Sequence, residues 1–137
     1  MSAITACDGE SKVALYIIAL ILDQDPKALA EIRAGQYRAD PALPQARNLL
    51  KYLVSVELGN GVKQTARDFG YLHHSGVTTA NAVVEVWRDD VLADRAIAEL
   101  AAAIRTISKF AAAVEESGNR DARAALYAMG QTVVEAA

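Results

Sequence analysis

Apolar residues Ala93, Ile97, Leu100, Ile104, Ile107, Ala111 and Val114 return at intervals that alternate between four and three. A strand cannot use that spacing, because its side chains alternate between two faces. A helix gathers such positions into one stripe. The stripe runs for about three heptads. A second, Ala122, Leu126, Met129, Val133 and Ala136, follows the turn residues Ser117-Gly118-Asn119. Two seams joined by a short turn predict an antiparallel helical hairpin over residues 91–137. Such a hairpin packs on itself and on the first helix, supplies a dimer interface, or does both.

The rest of the chain is helical by the same logic. Three prolines and eight glycines in 137 residues are too few for the regular turns of a β-sandwich. About a fifth of the residues are alanine, the strongest helix former. Apolar residues at 53% and charged residues at 23% describe a globular chain of one domain's length. The formal charge of −3 excludes a strongly basic coat, though not a local basic patch. Cys7 is the one cysteine, so no intrachain disulfide forms. The run Val13 to Leu22 falls short of the roughly 20 apolar residues that cross a bilayer. Without a basic leader or cleavage site beside it, the expectation is a cytoplasmic protein with no membrane association.

Helix boundaries can be read from caps and breakers. A first helix spans about Asp8 to Asp23; being apolar nearly all round, it is a central core element or a subunit contact. Asp25-Pro26 starts a second helix that ends at Gly35, and residues 36–43 with Pro41 form a loop. Pro44 opens a third helix to about Leu58, with Leu49, Leu50, Leu53 and Val56 as its buried stripe. Gly59-Asn60-Gly61 breaks it. A short helix covers 62–69, a tight turn 70–73, and another helix His74 or Ser75 to Arg88, facing inward through Val77, Ala80, Val84 and Trp87. Asp89 and Asp90 cap the long helix that starts at Val91. The predicted fold class is all-α. One domain, 1–137, divides into N-terminal helices (1–43), a helix pair (44–90) and the hairpin (91–137).

A short helix, a tight turn and a second helix have the shape of a helix-turn-helix, whose second helix fits the DNA major groove. The residues sharpen this. Ala46-Arg47 opens a helix. Further along comes the unbroken stretch Phe69-Gly70-Tyr71-Leu72-His73-His74-Ser75-Gly76-Val77-Thr78-Thr79-Ala80, and Val84, Glu85 and Arg88 come after it. The stretch from Ala46 to Arg88, about a third of the chain, resembles the C-terminal DNA-binding domain of the bacterial replication initiator DnaA. That family carries an Ala-Arg pair, the motif F-G-x-R-D-H-[ST]-[ST]-V-x-x-A and an Ile-Glu…Arg ending. The resemblance implies an all-α bundle containing a helix-turn-helix of the DnaA-domain-IV or Trp-repressor kind. It implies a sequence-specific double-stranded DNA binder that regulates transcription or replication. His74 and Ser75 would contact DNA at the start of the recognition helix, and Arg47 would contact the backbone or a groove. No Gly-rich phosphate loop accompanies the motif, so the initiator's ATPase module is not part of this sequence.

The chemistry of the residues suits those roles. A helix N-terminus carries unpaired N–H groups and partial positive charge. Thr78 and Thr79 add hydroxyls, and methyls able to meet a thymine methyl. Lys51, Lys63 and Arg67, with Arg47, are the candidate phosphate contacts. Arg47 serves equally well as a carboxylate's partner on a neighbouring helix.

The family's Arg-Asp is Leu72-His73 here, and Gly76 replaces its second hydroxyl residue. Between Arg47 and Asp90, five cations (Arg47, Lys51, Lys63, Arg67, Arg88) meet five anions (Glu57, Asp68, Glu85, Asp89, Asp90). Phosphate neutralisation dominates DNA affinity, so a monomer of this composition binds weakly, and a homodimer presenting two recognition helices recovers affinity. The alternative is an acidic, degenerate helix-turn-helix scaffold that serves as a protein–protein interaction module. His73 and His74 lack the companion ligands of a metal site, and Ser75 beside His74 lacks an orienting acid. Neither an enzyme nor a cofactor is expected. Trp87 has the spacing of a core residue.

Overall fold

The structure, a computed structural model, describes residues 9–30, 42–71 and 73–116. Among them every regular element is helical. Helix α1 (Gly9–Ile21) buries Ser11, Ala14, Leu15, Ile18 and Ala19 and leaves Leu20 and Ile21 exposed, so only one side of its apolar circumference is core. It stops where Asp23 takes a left-handed φ of 52° and the Gln24 N–H donates to the Ala19 carbonyl at 2.8 Å. That is a Schellman ending with aspartate in the usual glycine place. Helix α2 (Pro26–Ala30) starts as its sequence requires, with the Asp25 carboxylate accepting from the Lys27 N–H at 3.1 Å.

Helix α3 (Ala42–Tyr52) begins two residues before Pro44. Proline is tolerated there because a first-turn N–H has no partner within the helix. The helix then widens into a π-type turn, Leu53–Glu57, closed by the Leu58 N–H on the Leu53 carbonyl at 2.8 Å. Tyr52, Leu53, Val54 and Ser55 are consecutive and all buried, a run that one face of a regular α-helix cannot turn inward. The same widening leaves Val56 exposed, against the sequence expectation.

Gly59 and Gly61, at φ of 77° and 80°, reverse the chain into α4 (Gly61–Asp68). Thr65 is fully buried there because its hydroxyl donates back to the Gly61 carbonyl at 2.7 Å. Helix α5 (Ser75–Trp87) buries Val77, Ala80 and Val84 as predicted, and Trp87 packs against the core half-buried. Helix α6 (Val91–Glu116) is capped by Asp90, whose carboxylate accepts from the N–H groups of Leu92 and Ala93 at 2.8 and 3.2 Å.

The core joins two helix pairs: α3 packs most extensively on α5, and α1 on α6. Leu15, Ile18, Leu29, Leu50, Leu53, Phe69, Val84 and Ile104 meet in it, each worth about 1.5–3 kcal/mol of gross apolar burial. Along the seam of α6, Ile97 and Ile104 are buried, Ile107 is exposed and Val114 is half-buried; Phe110, beside the seam, is exposed. The predicted second seam, the stop at Gly35, most of the predicted loop 36–43 with its Pro41, and Cys7 lie outside the described residues, while Ala42 and Leu43 of that loop are helical. No helix among the described residues is long and apolar enough to cross a membrane.

Candidate nucleic-acid interface

The turn between α4 and α5 is set by Gly70. Its φ of 73° lets its own N–H reach the Arg67 carbonyl at 3.2 Å and the Tyr71 N–H reach the Ala66 carbonyl at 2.8 Å. This Schellman ending places Phe69 in the core and leaves His73 and His74 in solvent. Phe69 and Tyr71 then brace the turn from within, ring centroids 6.4 Å apart.

His74 is the first residue of the α5 cap, and its carbonyl accepts the N–H groups of Val77 and Thr78 at 3.0 and 3.1 Å. Ser75, Gly76, Thr78 and Thr79 are all exposed, while Val77 and Ala80 between them are buried. The 3.6-residue period therefore turns the whole polar tip of α5 outward. The Thr79 hydroxyl rests on the Ser75 carbonyl at 3.0 Å, and that of Thr78 faces the His74 carbonyl at 3.4 Å.

The predicted cations divide sharply. Lys63 and Arg67, one helical turn apart on α4, are exposed. With Asn60, Gln64, His74 and Thr78 they line one shallow depression between α4 and the start of α5. Lys51 is half-buried, its ammonium 4.7 Å above the Tyr71 ring and 3.9 Å from where a Cβ on Gly76 would stand. Burial, and secondarily the nearby Arg47 charge, hold its pKa below the ordinary lysine value. Arg47 is a correction. It is only 2% exposed, and its Nη2 donates to the Ala28 carbonyl at 2.5 Å, so the guanidinium faces the core and no phosphate.

The acids divide too. Asp68 accepts the Ser11 hydroxyl at 2.9 Å and the Gln64 amide at 2.7 Å. Glu85 accepts the Tyr52 hydroxyl at 2.8 Å. Arg88 donates to Glu57 and Tyr52 and, from Nε, to Asp94 at 2.5 Å, while Arg105 also reaches Glu57. At 1.5 Å per residue, Glu85 sits about 15 Å along α5 from Ser75. Among the described residues, Lys63 and Arg67 make no ion pair and no carboxylate lines the depression, although Asp68 is bonded to Gln64 beside it.

Asn60 and Gln64 escaped the sequence reading. Their signal is the helical spacing 60, 63, 64, 67, which puts two amides beside the two cations. Among the described residues, no group of three or more His, Cys, Asp or Glu side chains could hold a metal ion. No family model matches the chain, and no curated protein or solved structure matches it.

Proposed function

We propose that α4, the Gly70 turn and α5 form a helix-turn-helix that binds double-stranded DNA, with the polar tip of α5 entering the major groove. The observation that carries this reading is the convergence of Lys63, Arg67, His74 and Thr78 on one carboxylate-free depression beside the exposed Ser75 and Thr79. Phosphates then meet α4, and base edges meet α5. The resemblance of 46–88 to the DnaA C-terminal domain points the same way. It suggests a sequence-specific regulator of transcription or replication acting in the cytoplasm, without catalysis or cofactor.

With two exposed cations on the α4–α5 face among the described residues, a monomer binds weakly. A homodimer supplies the second reading head, and exposed Ile107 and Phe110 on α6 are the surface we assign to it. Fluorescence anisotropy with random and DnaA-box duplexes at two salt concentrations tests the proposal. Binding at low salt should fall steeply as salt rises, with the DnaA-box duplex preferred. Light scattering at high concentration tests the dimer.

A second reading has its own support. Val83, Val86, Val91 and Leu92 are exposed around the α5–α6 corner, among Glu85, Asp89 and Asp90. An apolar patch rimmed by acids suits a protein partner. Absence of duplex binding even at low salt would favour this interaction module.

A further inference from the structure

We propose that the depression between α4 and α5 is a single-phosphate pocket, and that His74 and Thr78 act in it as positioning residues and not as readers of bases. The inference rests on the DNA-binding reading and divides its labour.

Lys63, Arg67, His74 and Thr78 bring donors to the depression, beside Asn60, Gly61, Val62 and Gln64. Lys63 contributes an ammonium and Arg67 a planar guanidinium, both exposed and neither bound to a carboxylate in the ion pairs found among the described residues. His74 and Thr78, four residues apart on α5, stand opposite them. A phosphodiester offers only acceptor oxygens and matches two cationic donors, as a guanine edge also does; the placement of the depression between α4 and α5, away from the exposed Ser75 and Thr79, favours the phosphate. The amides have prior partners: Asn60 donates to the Ser11 hydroxyl at 3.2 Å and Gln64 to Asp68 at 2.7 Å. Those bonds brace the α4 side of the pocket; Asp68, held by Gln64, also accepts the Ser11 hydroxyl of α1 at 2.9 Å and is not itself among the lining residues. Ser75 and Thr79 are exposed but line no part of the depression. They remain free for the groove floor.

This assignment departs from the expectation that His74 and Thr78 read sequence. Geometry is the reason: residues that share a pocket with two cations across a helix gap face the backbone of any duplex gripped by those cations.

The test uses the full chain, with circular dichroism confirming that each surface variant folds. Against a set of duplexes, Lys63→Gln and Arg67→Gln should each flatten the slope of log K against log salt by about one unit. His74→Gln and Thr78→Val should weaken every duplex by a similar factor, about tenfold or less, and keep their ranking. Ser75→Ala should instead change the ranking. A His74→Gln or Thr78→Val variant that reorders the duplexes overturns the assignment. In parallel, inorganic phosphate is titrated while the His74 ring resonances are followed by NMR. They should shift in the wild type and not in a Lys63→Gln/Arg67→Gln double variant. A phosphate response without duplex binding would uphold the pocket and remove the DNA reading. A His74 ring that responds neither to phosphate nor to a bound duplex overturns the pocket.

Discussion

Arg47 donates from Nη2 to the carbonyl of Ala28, joining α3 to the end of α2 across nineteen residues of sequence. The bond gives a guanidinium that is only 2% exposed a partner for one of its donors on a neighbouring helix. Arg47→Ala should lower stability by about 2 kcal/mol, through the lost hydrogen bond to the Ala28 carbonyl and the lost packing of the side-chain stem. Urea denaturation measures it. The salt slope of DNA binding should stay at the wild-type value, since this side chain neutralises no phosphate.

Gly70 is held at φ 73° with open space where a Cβ would be. Gly70→Ala should thus lower stability by about 1 kcal/mol through backbone strain alone, without a steric clash. Thermal unfolding checks the size. The same variant should weaken duplex binding, because the Gly70 conformation aims the α5 tip.

Arg88 ties the end of α5 to Glu57 of the π-type turn and to Asp94 of α6, and these bonds, Asp94 first, raise its pKa further above the arginine norm. The site is partly open to water, so screening limits its worth. A double-mutant cycle with Glu57→Gln and Arg88→Met should give a coupling of about 1 kcal/mol at low salt, shrinking in high salt.

Tyr52 keeps its proton more tightly than a free tyrosine. Burial is the main cause; Glu85 reinforces it, and Arg88 opposes it. A folded pKa above the unfolded one gives stability that is complete below about pH 10 and declines as pH rises through the folded value. Alkaline unfolding monitored by ultraviolet absorbance should show this decline, and Tyr52→Phe should flatten it.

Local signals in the sequence located most element boundaries. Asp25-Pro26, Gly59-Asn60-Gly61, Gly70 and Asp90 act on their immediate neighbours, through caps and left-handed φ values, and all four mark the ends they predict. The period of α5 likewise separated Val77, Ala80 and Val84 from the exposed Ser75, Thr78 and Thr79. Val56 was misplaced because a π-type turn changes the helical period without any residue that announces it. The apolar seam of α6 packs on α1 and the π-type turn, yet its spacing alone did not show that Ile107 would be exposed.

The candidate site was legible as a list of residue types and illegible as an arrangement. Spacing alone determined that this chain is helical and that a polar helix tip follows a glycine turn, because backbone sterics and the 3.6-residue period are properties of short segments. Only tertiary structure decided which charges face outward. Arg47 and Arg67 are the same side chain to a sequence. Desolvation and a carbonyl nineteen residues away turned one into a core strut, and a place on the outer face of α4 left the other exposed.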